Sequence, residues 1–180
     1  MADTEATPPP EDTTPEPPPE RHGVPVTRSL DQDVLHAPRD EWRRVAEALR
    51  SEGFGVCLDV TAVDYLTAGG RLLPDGVEPE RFEVVATFLS FEKRERVRVR
   101  AQVPDADPRI DSLFELFPGT DTPEREVYDM FGITFEGHPD LSRILMPEDW
   151  EGHPLRKDYG VGRIPVQFKV TADRTGPGAR

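Results

Sequence analysis

Six side chains in the second half of the chain could carry acid–base or metal chemistry: Glu124, Glu126, Asp129, His138, Asp140 and His153. Carboxylates joined by two histidines can hold zinc or move protons. The spacing favours neither use. His138 and His153 stand fifteen positions apart, with no helix to bring a second ligand alongside as an i, i+4 pair would. Each precedes a proline, Pro139 and Pro154, which biases the histidine toward extended backbone and suits a turn. The lone Cys57 cannot form an internal disulfide, and an iron–sulfur cluster needs about four thiolates. A dinucleotide-type glycine-rich loop is absent from the sequence. A free-standing small metalloenzyme built on His138 and His153 is therefore the weaker of two readings.

The elements that must position these residues come from the first half. Pro38 can open a helix, and Trp42, Val45, Ala46 and Leu49 follow at i, i+3, i+4 and i+7, one apolar stripe facing a core. Gly53 suits the left-handed residue after the helix. Val56, Leu58 and Val60 alternate with Cys57 and Asp59 as a strand, and Gly69-Gly70 and Pro74-Asp75-Gly76 mark a loop. Residues 81–91 read as a strand apolar on both faces, hence interior to a sheet. After a turn at Glu92-Lys93-Arg94, Val97, Val99, Ala101 and Val103 alternate with Arg96, Arg98, Arg100 and Gln102, which predicts an antiparallel hairpin. The three arginines form either a solvated face or a docking surface for an acidic partner. Pro108 is expected to introduce a short helix through Leu113, Phe114, Leu116 and Phe117, and Thr122-Pro123 to cap another at Glu124. The fold class is α+β: helices packed on a mostly antiparallel sheet.

The ends read differently. Pro-rich runs and six Asp/Glu mark the first 20 residues, with no Lys or Arg before Arg21. Residues 1–28 are expected to be a disordered acidic tail, either a solubilising leader or a partner-binding arm. The α+β domain is expected over 29–134, an extended segment over 135–170 and a second disordered tail over 171–180. The formal net charge of −13 over 180 residues argues against nucleic-acid binding. No apolar run approaches the roughly 18–20 residues of a membrane span, and the N-terminus lacks the charge and apolar pattern of a signal peptide. These features predict a soluble cytoplasmic chain.

The segment after residue 124 is irregular yet rich in Leu, Ile, Met, Phe, Trp and Tyr. Apolar residues on an extended backbone need a surface to lie against, and partner chains are the natural one. Glu136-Gly137-His138-Pro139 and Glu151-Gly152-His153-Pro154 repeat one pattern, each followed by a leucine and a basic residue, Leu141 with Arg143 and Leu155 with Arg156. Glu124-Arg125-Glu126, Asp129, Phe131-Gly132-Ile133, Gly137-His138-Pro139-Asp140-Leu141, Arg143-Ile144-Leu145 and Trp150-Glu151-Gly152-His153-Pro154-Leu155-Arg156-Lys157-Asp158-Tyr159 together resemble the signature of the 30-kDa subunits of respiratory complex I, the NADH–quinone oxidoreductases. Val60 to Tyr65 resembles that family too, so the similarity runs over roughly residues 35–168. Ser142, where the family often has a basic residue, and Pro123 depart from its pattern.

The resemblance implies a non-catalytic scaffolding subunit in the peripheral arm of a proton-translocating complex. Such a subunit works at the cytoplasmic face of the cell membrane, beside the 49-kDa-type quinone-pocket subunit and a cluster-bearing neighbour. It implies no cofactor in this chain, with FMN and iron–sulfur clusters in other subunits. The signature residues, Glu124, Arg125, Glu126, Asp129, Gly132, His138, Pro139, Arg143, Trp150, Gly152, His153, Pro154, Arg156, Lys157, Asp158 and Tyr159, become candidate partner contacts. Glu126 or Asp129 pairing with Arg143 or Arg156 could tie the helix to the extended segment, and Trp150 is expected to act as an anchor.

Overall fold

The computed structural model describes residues 19–160. Its centre is a six-stranded sheet in the order β1-β2-β3-β6-β5-β4, with β1 Glu20–Arg21, β2 Val24–Ser29, β3 Gln32–Ala37, β4 Val56–Asp64, β5 Phe82–Ser90 and β6 Glu95–Val103. All neighbours are antiparallel except β3 and β6, which run parallel with Leu35 opposite Val99. A second, two-stranded parallel sheet joins β7 Arg109–Asp111 to β8 Thr134–Glu136. The helices are α1 Trp42–Ser51 and α2 Asp121–Phe131.

The alternation on β5 and β6 sorts one face of the sheet into the core. Phe82, Val84, Ala86 and Phe88 lie opposite Val103, Ala101, Val99 and Val97, and all eight are buried. Trp42, Val45, Ala46 and Leu49 of α1 and Val127, Met130 and Phe131 of α2 join them in one apolar cluster. The side chains between them, Val85, Thr87, Leu89, Arg96, Arg98 and Arg100, remain half-buried or exposed.

Four expectations need correction. Residues 1–18 lie outside the described residues, but the supposedly disordered stretch up to residue 28 is sheet from Glu20 onward. His22 and Gly23, both with positive φ, form a two-residue turn of the kind that closes tight hairpins. Arg21 then binds Asp33, Glu52 and Glu95, and Val24 is buried. Pro25 is tolerated because this hairpin lies at the sheet edge. The helix expected after Pro108 is instead strand β7 followed by turns: Ile110 and Leu113 reach the core while β7 pairs with β8, a partner distant in sequence. Leu58 is turned outward, because the register shifts between Cys57 and Asp59 and a bulge sends the extra residue to the other side. Finally, α1 starts at Trp42 after a single 3-10 turn at Arg39–Glu41, and α2 starts at Asp121 with Pro123 inside its first turn, where the missing N–H costs nothing. The tail expected over 171–180 lies outside the described residues, as does the stretch 161–170 of the extended segment.

Two phenylalanines on the β5–β6 hairpin test this sorting. Phe88 is fully buried and tilts against Phe117 at 5.2 Å, whereas Phe91 is 73 % exposed. Phe88→Ala is expected to lower unfolding free energy by about 3–5 kcal/mol, and Phe91→Ala by at most about 0.5 kcal/mol. Urea titrations of the two variants give the comparison.

Candidate functional site

The last described segment, residues 137–160, has no regular secondary structure, yet its backbone is tied down at defined points. Two carboxylates that the core surrounds do this.

The first is Asp129, on the last turn of α2. Its side chain is fully buried because the α2 stripe that carries Val127 and Met130 inward also carries residue 129 against the segment. Oδ2 accepts the backbone amides of Ile144, Leu145 and Met146 at 3.1, 2.8 and 2.8 Å, and Oδ1 accepts Arg143 Nη1 at 2.6 Å. Burial would push this carboxyl up. The three amides and the guanidinium overcome it and hold the group below the usual carboxylate range.

The second is Asp64, at the end of β4. It occupies the position where the inward series Val60, Ala62 would place another apolar residue. Arg81 grips it with two bonds, Nε to Oδ1 at 3.2 Å and Nη2 to Oδ2 at 2.9 Å. The amides of Leu66 and Lys157 complete the shell at 2.9 and 2.8 Å. Here too burial acts upward, and Arg81 with the two amides reverses it. Arg81 also binds Asp105 at 2.9 Å and Asp158 at 2.7 Å, so one guanidinium joins β4, the loop after β6 and the segment.

Between these anchors the backbone of α2 itself serves as the dock. The Leu155 amide donates to Met130 O at 3.0 Å, Arg156 Nε to Phe131 O at 2.6 Å, and His153 Nδ1 to Asp129 O at 2.9 Å. These carbonyls belong to the last turn of α2, where no further turn supplies donors. Gly132 ends the helix with φ +71°, and a Cβ there would stand 2.5 Å from His153 Nε2. Glycine is required twice over: for the left-handed turn and for the close approach of His153. Gly152, with φ +85°, leaves room for the Tyr159 ring. Arg125 reaches Ser142 Oγ at 2.9 Å, and Arg143 adds a bond to Gly152 O at 3.1 Å.

The signature residues thus separate. Asp129, Arg143, Gly132, Gly152, His153, Arg156, Lys157, Asp158 and Tyr159 converge around the end of α2 and the Asp64–Arg81 pair. Of the pairings anticipated for Glu126 or Asp129, the one formed is Asp129 with Arg143; Glu126 faces outward. Glu124 is buried as well, but under α2's start, where Ser112 Oγ and the Leu113 amide donate to it at 2.5 and 2.8 Å. Burial raises its carboxyl above the usual range. His138 lies apart, tilted against Phe114, with Nδ1 accepting the Asp140 amide at 3.1 Å. Pro139 is exposed, Pro154 half-buried, and Trp150 rims an open cleft of about 620 Å³ beside Asp149, Glu151 and Tyr159. Among the described residues no group of three or more His, Cys, Asp or Glu side chains could hold a metal ion. Burial also lowers the His153 imidazole below its ordinary range. The arrangement fixes the path of an irregular chain.

Sequence reasoning passed over Asp64 and Arg81 as functional residues. The signal was present: an aspartate at i+4 on the inward face of a strand is a carboxylate the core must satisfy.

Comparisons with known proteins concern the same residues. The sequence model of the family described as respiratory-chain NADH dehydrogenase, 30 Kd subunit, matches residues 35–164. An NADH-quinone oxidoreductase subunit of Mycobacterium tuberculosis (strain H37Rv) is 46 % identical over 142 residues, covering 77 % of this chain and 56 % of that protein. Its counterpart in Mycobacterium avium (strain 104) is 45 % identical, with 77 % and 57 % covered. The chain therefore spans just over half the length of these relatives. Among solved structures, a trypsin-resistant fragment of Nqo5 superposes with a TM-score of 0.59 at 35 % identity, covering 66 % of this chain and 90 % of that one. A chain of the membrane-bound sulfane sulfur reductase, an archaeal respiratory membrane complex, gives 0.63 at 26 % identity, with 76 % and 77 % covered.

Two sets of variants test the anchoring. Asp129→Asn removes the charge that Arg143 and the three amides share and is expected to cost about 3 kcal/mol, with faster hydrogen exchange at Ile144, Leu145 and Met146. Because the folded carboxyl titrates below the unfolded one, its contribution is complete above about pH 4 and is lost as pH falls through the folded value. The variant should accordingly lose less stability than wild type on acidification. Gly132→Ala and Gly137→Ala both impose left-handed strain, at φ +71° and +82°, but only the first meets His153. Limited proteolysis is expected to cut residues 141–158 faster in Gly132→Ala alone.

Proposed function

Because the chain belongs to the family of respiratory-chain NADH dehydrogenase 30-kDa subunits, we propose that it is a non-catalytic docking subunit in the peripheral arm of a proton-translocating NADH–quinone oxidoreductase. On this reading it sits at the cytoplasmic face of the cell membrane, next to the quinone-pocket subunit and a cluster-bearing neighbour. Electrons pass from NADH through FMN and iron–sulfur clusters held by other chains. On the same reading its membrane attachment runs through those partners; among the described residues no helix is long and apolar enough to cross a membrane.

One observation carries the reading: the segment tied to Asp129 and Asp64 holds apolar side chains outward. Ile144 and Leu145 have their amides fixed by Asp129 while their side chains are 37 % and 59 % exposed, and Leu155, bonded to Met130 O, is 47 % exposed. An unattached loop would bury or scatter such residues. Fixing them in place at the cost of two buried carboxylates makes sense where a partner covers them. Trp150, at the edge of the neighbouring cleft, extends the same surface.

The test is affinity purification of the tagged chain from gently solubilised membranes of its host. Wild type is expected to bring down quinone-pocket and cluster-bearing subunits, with iron–sulfur absorbance and rotenone-type-inhibitor-sensitive quinone reduction. Leu145→Asp with Leu155→Asp is expected to lose them at unchanged thermal stability. Recovery of wild type as a lone monomer would overturn the reading.

A further inference from the structure

Sixteen arginines fall among the described residues, and thirteen of them have at least one hydrogen-bond or ion-pair partner there. The three without are Arg94, Arg96 and Arg98, and they are neighbours. In a chain of net charge −13, with carboxylates abundant, three adjacent unpaired guanidinium groups are a local exception. Arg94 closes the β5–β6 turn with φ +54°. Arg96 and Arg98 point from β6 to the face opposite the core, beside Leu89 and Thr87 in register.

The same end of the sheet exposes large apolar side chains. Since β3 runs parallel to β6, the β2–β3 and β5–β6 turns lie side by side. Leu30 at the first is 88 % exposed with φ +53°, and Phe91 at the second is 73 % exposed. A left-handed leucine in full contact with water gains nothing from local structure. Between the turns lies a groove of about 550 Å³ lined by Gln32, Leu89, Phe91, Arg94 and Arg96, with Asp31 and Glu95 at its sides. The Gln32 Oε1 atom is buried there without a hydrogen-bond partner. Glu95 is committed to Arg21, so Asp31 and Glu92 are the free carboxylates nearby.

We propose that this groove and the adjoining Arg96–Arg98 row bind an extended acidic segment of a neighbouring polypeptide in the assembly. Its carboxylates pair with Arg94, Arg96 and Arg98, an apolar side chain lies against Phe91 and Leu30, and a backbone N–H meets Gln32 Oε1. The inference rests on the docking-subunit reading above but concerns the opposite end of the molecule's chemistry: charge on a sheet face, not apolar side chains on a tied segment. Planar guanidinium groups suit carboxylates, which they hold in paired bonds.

The experiment uses the full chain in its host membranes. Arg96→Glu with Arg98→Glu is expected to reduce recovery of one neighbouring chain by about tenfold or more, while Arg96→Lys with Arg98→Lys retains it. Arg28→Glu, a charge reversal at an exposed site of β2 on the sheet face opposite Arg96 and Arg98, should have no effect. In the lysine variant, carbodiimide is expected to couple residue 96 or 98 to an Asp or Glu of that neighbouring chain, located by mass spectrometry. Undiminished recovery with the glutamate variant overturns the proposal, as does coupling only to this chain's own Asp3–Glu16 stretch. If wild type recovers no neighbour at all, the docking-subunit reading fails with it; loss of the surface alone leaves that reading intact.

Discussion

The fold depends on one unusual placement of charge: the Asp129 carboxylate, sealed from water at the end of a helix. A buried anion is unfavourable unless its oxygens are fully used. Here they are used by three successive amides and a guanidinium, all supplied by a segment with no secondary structure of its own. The dependence is mutual. The segment has no ladder or helix to hold it, and Asp129 has no solvent to replace it. Each would be unfavourable alone. Asp64 repeats the arrangement 65 positions earlier in the chain, with Arg81 as the counterion and Lys157 among the amide donors. An irregular path thereby becomes as well defined as a strand.

That construction separates two tasks that most loops combine. The backbone amides of Ile144, Leu145 and Leu155 satisfy the protein's own carboxylate and carbonyl groups, so those three side chains are released to face outward. Burying ionic groups in this way adds less to stability than to the choice of a single conformation. For a chain whose proposed work is to present a surface, a single conformation is the property that counts. The two histidines, which suggested metal chemistry, fit the same account: His153 supplies a donor to the helix end and His138 accepts an amide in a turn.

The hairpin of β5 and β6 and the stripe of α1 were legible because their alternation and 3.6-residue spacing report burial directly. The tie between Asp129 and Arg143 was legible as one of a few pairings. Other features depended on residues far apart. β7 reads as helix because Leu113, Phe114, Leu116 and Phe117 crowd together, and only the distant β8 shows that Ile110 belongs in a strand. Arg21 and Val24 sit in a Pro-rich acidic context that suggests disorder, and the three carboxylates that hold Arg21 come from β3, the end of α1 and β6. Leu58 illustrates the limit of period-two reading: a single bulge reverses every assignment before it. Asp64 could have been found, since an acid on an inward strand position must have a partner.

The parallel seam between β3 and β6 sets an order of events. Every other pairing in the large sheet joins strands that follow one another in the chain, whereas Leu35 must meet Val99, 64 residues further on. Closing that distance costs loop entropy before any contact repays it. During synthesis, the β2–β3 hairpin leaves the ribosome first but has no sheet to join until β6 has emerged and paired with β5. The earliest-made strands are the last to find their place, and until then β6 waits with one open edge.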